Sequence, residues 1–106
     1  MMGERSRSLR LEIDLRDIIA FPFSPRLQLD AKYILELADS IERYGLRESP
    51  VVRLHASLPE KYEGITGEYI VQALLKLNRT TIPVTVMALD DIQARILALQ
   101  SNLKGR

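Results

Sequence analysis

The sequence contains no cysteine, no tryptophan and a single histidine, His55. Disulfides, thiol catalysis and thiolate metal sites are thereby excluded together, and a histidine-based metal cage lacks ligands. Neither sign of charge dominates: 15 basic and 14 acidic residues leave a formal +1. Such a chain is not a general polyanion binder, so contact with nucleic acid must come from local clusters. No apolar run approaches the roughly 20 residues that span a bilayer, and the amino terminus lacks the apolar stretch of a secretory signal. What is present, 46% hydrophobic and 27% charged residues over a length of 106, suits one soluble globular domain. The expectation is a cytoplasmic unit with no membrane partner.

Residues 1–10, with Arg5, Arg7 and Arg10 among serines, read as a flexible basic tail, and 11–106 as the domain. Leu11, Ile13 and Leu15 alternate with charged residues, which predicts a half-buried strand. Phe21-Pro22-Phe23-Ser24-Pro25-Arg26 excludes regular structure, because two prolines restrict their own φ and the residue before each. Asp30 is a natural N-cap for a helix whose stripe is Ile34, Leu37, Ala38, Ile41 and Tyr44, with Gly45 at its end. Short strands follow at Val51–Leu54 and Tyr62–Thr66, then a helix from Gly67 with stripe Ile70, Ala73, Leu74 and Leu77. Ile82–Met87 predicts a strand, with Pro83 pointing to an edge or entry position. Asp90 and Gln93 form a capping box for a last helix with stripe Ile92, Ile96, Leu99 and Leu103. The fold class is α/β (α+β): a small mixed sheet of about four strands packed with three main helices. A helical domain with a hairpin is less compatible with the β-branched run at 82–87.

Three places could carry chemistry. At Tyr62–Ile70 a strand passes through Gly67 into a helix, so free N–H groups and the positive helix end converge on one point, as an anion requires; Gly67 also reads simply as a turn residue. Gly45–Arg53 forms a loop into a strand, with Arg53 placed for a base or phosphate or else solvated at a strand end. Ser101–Arg106 closes the last helix with a polar cluster. No nucleophile, base and orienting acid fall together: His55, Ser57 and Glu60 share a loop without order, and His55 reads as a surface residue. Helix capping accounts for Asp90 and Asp91.

The order of motifs resembles the N-terminal domain of the ParB family of DNA-partition proteins, from about Leu11 to the end of the chain. Ile13-Asp14-Leu15 leads to Ser24-Pro25-Arg26, similar to the family's asparagine-proline-arginine. Leu37-Ala38-Asp39-Ser40-Ile41, Gly45-Leu46 and Pro50-Val51-Val52-Arg53 match its helix and next strand. Gly67-Glu68 opens its phosphate-binding Gly-Glu-Arg-Arg motif, with Ala73 at the later alanine. Ile82-Pro83-Val84 and Leu99 to Asn102 complete the order. The resemblance implies a fold shared with sulfiredoxin, whose catalytic cysteine this chain lacks.

It further implies a CTP-binding switch and a self-association module ahead of a helix-turn-helix domain, with a basic tail that stimulates a ParA-type ATPase. Arg5, Arg7, Arg10 and Arg26 are the implied contacts to DNA or that ATPase. Arg53, Gly67, Glu68 and Asn102 are the implied nucleotide positions. The family's two arginines are Tyr69 and Ile70 here, and its glutamate-asparagine pair is Ser101-Asn102. Loss of two charge-assisted contacts, about 1.5–3 kcal/mol each, weakens phosphate binding by orders of magnitude. The sequence therefore predicts a binding and assembly module with neither catalytic residues nor a bound metal and with no cofactor. Its partners would be a DNA-bound partition complex, an adaptor or further copies, with Phe21, Phe23, Tyr69 and Ile70 as the interface. Two alternatives stand beside it: a CTP- and magnesium-binding switch with altered contacts, and non-specific DNA binding by the tail with Arg26, Arg47 and Arg53.

Overall fold

The computed structural model describes residues 8–23 and 28–104, the last three by backbone alone. Among the described residues, five strands and three α-helices follow in the order β1 (Ser8–Asp14), β2 (Ile18–Ala20), α1 (Ala31–Tyr44), β3 (Val51–Leu54), β4 (Tyr62–Gly64), α2 (Glu68–Lys76), β5 (Thr81–Met87) and α3 (Asp91–Lys104). The sheet runs β1-β5-β3-β4-β2. It is mixed: β1 with β5 and β3 with β4 are antiparallel, while β3 with β5 and β2 with β4 are parallel. The strand beyond the expected four is β2. It is too short for an alternation to register in sequence and exists by pairing with β4.

The first strand also begins earlier than its charge suggested. Ser8, Leu9 and Arg10, read as tail, pair with Met87, Val86 and Thr85. The ladder supplies the order that composition alone does not. Pro83 falls within an interior strand rather than at an edge. It lies opposite Glu12, and β5 first meets β3 at Thr85, so its missing N–H interrupts no bond to β3.

Two clusters hold the sheet. On one face Ile13, Val52, Ile82 and Val84 meet Ile34, Ala38 and Ile41 of α1 and Ala73 and Leu74 of α2. On the other face Val51, which alternates with Val52, packs beside a smaller cluster of Phe21, Ile65, Ala94 and Ala98. Helix α1 starts at Asp30, whose carboxylate accepts from the N–H of Lys32 and Tyr33, and ends at Gly45, as expected. The apolar stripe of α1 closes at Ile41, however, because Tyr44 is exposed. The capping box of α3 is formed on both sides: Asp90 Oδ1 accepts from Gln93 N at 2.8 Å, and Gln93 Oε1 accepts from Asp90 N at 3.0 Å.

Between β1 and β2, residues Leu15–Asp17 make one 3-10 turn capped by Asp14. Hydrogen bonds from the Arg16 side chain and then its backbone N–H hold the Asp14 carboxyl below its ordinary value of 3.8, at about 2. A depressed carboxyl contributes stability that is present above its unfolded value and lost as pH falls through the folded one. The cap should therefore persist down to pH values near 4 and disappear on the way to about 2. An NMR titration of Asp14 checks this. Arg16→Ala should move its midpoint up towards 3.8, and a midpoint that stays put would contradict the assignment.

Candidate functional site

The junction before α2 is built around Gly67. Its backbone is left-handed, φ 88°, and a Cβ there would lie 2.5 Å from Pro50 Cβ. Pro50 is buried and its carbonyl accepts from Thr85 N at 2.9 Å, so it cannot move aside. Thr66 Oγ1 closes the turn by accepting from Val51 N at 2.9 Å. Gly67 is thus a turn residue, and it delivers the chain into a helix whose first N–H groups have no side-chain cap. Glu68, the next residue, is exposed and accepts from the Gln72 amide at 3.0 Å.

The two residues that stand where the family carries arginines turn inward. Tyr69 meets Tyr33 edge to face at 4.9 Å, and its hydroxyl accepts from Asp30 N at 2.9 Å, tying the start of α2 to the start of α1. Ile70 packs at the border of the first cluster. Both are half-buried and join the core. Expected as interface residues, they instead turn much of their apolar surface into the domain.

Arg53 differs most from its expected role. It stands directly opposite Glu63 in the β3–β4 ladder, and its Nε donates to Glu63 Oε1 at 2.8 Å. One terminal nitrogen donates to Leu89 O at 2.9 Å, the other to Asp91 Oδ1 at 2.8 Å. The guanidinium also lies 5.1 Å over the Phe21 ring. Burial opposes its charge, but the hydrogen bonds it donates to Glu63 and Asp91 prevail and raise its pKa above the ordinary value. Arg53 is therefore a tie between β3, β4 and the start of α3, with its donors directed to protein acceptors rather than outward to a phosphate.

His55 belongs to the same neighbourhood and is not the surface residue expected. Its Nδ1 accepts from the N–H of Ser57 and of Leu58, both at 3.0 Å, and its Nε2 lies 3.9 Å from Glu63. It closes the β3–β4 turn. Among the described residues, no group of three or more histidine, cysteine or acidic side chains is placed to hold a metal ion.

Of the other expected contacts, Phe21 is buried at 3% exposure and belongs to the second cluster, so it is not an interface residue. Phe23 is exposed. It stacks edge to face on Phe21 at 5.5 Å and carries the Arg95 guanidinium 4.3 Å above its ring. Arg10 lies in β1 and donates to Ser49 Oγ at 2.9 Å. Arg5, Arg7, Arg26 and the Asn102 side chain lie outside the described residues. The positions carried over from the nucleotide motif thus bring a helix start and an exposed carboxylate, while their one described cation, Arg53, is committed elsewhere. Among the described residues these positions offer a triphosphate no uncommitted cation.

The apolar surface that sequence reading missed is on α3. Ile92, Ile96 and Leu99, expected to face the core, are exposed at 67%, 52% and 51%. Ala94 and Ala98 face inward instead, with Leu97 half-buried beside them. A period of 3.6 shows that apolar residues share one face, but not which way that face turns. The second small-residue face was the available signal: Ala94, Leu97 and Ala98 also recur at helical spacing.

The sequence profile of the ParB N-terminal domain matches residues 2–103. A nucleoid occlusion protein of Shouchella clausii is 36% identical over 93 residues, covering 88% of this chain and 32% of that protein. The chain thus spans about a third of the length of such curated relatives. The C-terminally truncated chromosome-partitioning protein ParB from Caulobacter crescentus, complexed with CTP-γ-S, has a TM-score of 0.81 at 22% identity, covering 92% of this chain and 54% of that one. Sulfiredoxin from Arabidopsis thaliana has a TM-score of 0.67 at 25% identity, covering 84% and 96%. The likeness to these two structures is one of fold. Among the described residues, no helix is long and apolar enough to cross a membrane.

Proposed function

Because the chain belongs to the ParB N-terminal domain family, we propose that it is the assembly module of a DNA-partition or nucleoid-occlusion protein. It acts through protein contact at α3. The observation that carries this reading is the outward turn of Ile92, Ile96 and Leu99 while the smaller Ala94 and Ala98 face the core. A helix that buries alanines and exposes its larger residues leaves an apolar strip for another macromolecule. Its partners on this reading are a DNA-bound partition complex, an adaptor and further copies. Arg5 and Arg7 provide the basic segment for a ParA-type ATPase, and the site of action is the nucleoid or a plasmid.

A second reading has one observation in its favour: the similarly folded Caulobacter protein holds CTP-γ-S. On that reading the chain is a CTP- and magnesium-dependent switch. The inward packing of Tyr69 and Ile70 and the committed Arg53 count against it. Non-specific DNA binding through Arg10, Arg26, Arg47 and Arg53 is weaker still, since Arg53 is tied to Glu63 and Asp91.

Isothermal titration with CTP and magnesium separates the first two readings. No binding is expected at tens of micromolar, and affinity near one micromolar would favour the switch. Ile96→Glu, at an exposed position, should change folding stability by no more than about 0.5 kcal/mol. It should also abolish recruitment of a tagged chain to partition complexes in cells. Recruitment at the unmutated level would remove α3 from the reading.

A further inference from the structure

The sheet has two outer strands, and they differ. β2 has three residues, whereas β1 has seven, pairs with β5 without a bulge and contains neither proline nor glycine. Proteins ordinarily blunt such an edge, because its unpaired N–H and C=O groups are a template for another strand. Among the described residues nothing pairs with the outer side of β1.

The direction of its backbone groups follows from the ladder. Leu15 N donates to Thr80 O at 2.9 Å, continuing the register that sets Asp14 against Thr81. Antiparallel pairs alternate between bonded and non-bonded, so Ile13 and Leu11 direct their backbone groups to β5, and Glu12 and Arg10 direct theirs outward. The position of Pro83 agrees: it has no N–H to give and lies opposite Glu12, at a non-bonded pair.

We propose that the outer edge of β1 is a self-association surface, where β1 of a second copy pairs antiparallel about Leu11. In that register Arg10 and Glu12 of one copy exchange backbone bonds with Glu12 and Arg10 of the other. Opposite charges then face each other twice on one side of the sheet. On the other side Leu9 meets Ile13 and Leu11 meets its counterpart. A shift of two residues one way sets Arg10 against Arg10, and the other way sets Glu12 against Glu12, which directly opposed like charges disfavour; the second shift also brings Arg10 opposite Asp14, but that carboxylate is already held by the Arg16 guanidinium. A shift of one sets charged side chains on the apolar face. The strand is thus complementary to itself in one register, and pairing joins two five-stranded sheets into one.

The side chains of Arg10 and Glu12 now bond at exposed positions to Ser49 and Thr81, at 2.9 and 2.7 Å. Water already competes for these bonds, so redirecting them is a small matter. Leu9, exposed at 58%, would gain an apolar neighbour. An edge of this length buries little area, so the contact is a weak one that several linked copies strengthen.

This inference rests on the assembly reading, which α3 and the CTP titration test separately. Analytical ultracentrifugation of the chain from 10 μM to 1 mM should show reversible dimers. Arg10→Glu and Glu12→Lys should each weaken dimerisation at least about tenfold. The double variant, with charges exchanged, should return to within about threefold of the original. Hydrogen exchange gives a second readout: the Arg10 and Glu12 amides should slow as concentration rises, with that of Leu11 unchanged. A chain that stays monomeric at 1 mM overturns the proposal. So do single reversals without effect, or a double variant no better than the singles, while the α3 reading stands or falls on Ile96.

Discussion

Arg53→Met is expected to lower folding stability by about 3–5 kcal/mol, the largest loss foreseen for any side chain of this domain. The reason lies less in the removed contacts than in what they leave behind. Glu63 has a side chain only 9% exposed, and its nearest cation is the Arg53 guanidinium at 2.8 Å. Truncation leaves a buried carboxylate facing His55 Nε2 at 3.9 Å. It also releases Leu89 O and the ring of Phe21. Chemical denaturation measures the loss, and the thermal midpoint should fall by at least about 12 °C.

Two companion variants separate the causes. Asp91→Asn removes the other ion pair, but Asp91 has a side chain 67% exposed, so a change of about 0–1 kcal/mol is expected. Arg53→Met combined with Glu63→Leu removes the stranded charge, and much of the stability should return. A loss under about 1 kcal/mol for Arg53→Met alone would mean that water reaches Glu63 freely.

Gly67→Ala should be the second large effect, about 2–4 kcal/mol. Two penalties coincide there. The residue must hold φ 88°, and its new methyl group must share space with Pro50 Cβ and Cγ, 2.5 and 2.6 Å away. Gly45→Ala carries a backbone penalty without a collision, because nothing lies within 4 Å there, but its φ of 84° is combined with ψ 175°, a conformation nearly confined to glycine, so about 1–3 kcal/mol is expected. At Gly67 the left-handed angle alone accounts for about 1–2 kcal/mol, and the excess over that reads the collision with Pro50. A Gly67→Ala loss of only about 1 kcal/mol would show that the junction relaxes, and that Gly67 is needed only for its backbone angle.

These residues also mark where sequence stops being informative. Helix α1 was legible because its signals are local: Asp30 before it, Gly45 after it, and Ile34, Ala38 and Ile41 at helical spacing between. The capping box of α3 was legible for the same reason. The role of Arg53 was not. Its partners Glu63, Leu89 and Asp91 are brought together by the register of β3 with β4 and by the turn after β5. In sequence an arginine at a strand end looks like a free cation. Phe21 was read as an interface residue, yet Ile65, Ala94 and Ala98 enclose it from distant parts of the chain. Tyr69 and Ile70 were correctly seen to replace charge with apolar surface, but only packing against Tyr33 and the first cluster fixed where that surface goes.

The sheet places its first strand beside its last: Ser8 meets Met87 and Asp14 meets Thr81. Such distant partners make closure slow relative to local helix formation. During synthesis β1 emerges before β5 and then waits, its alternating leucines unaccompanied, until the residues up to Met87 have followed. Arg10 and Glu12 are the charges that keep it soluble through that interval. Nascent chains crowded on one messenger are therefore where this strand is most exposed to the wrong neighbour.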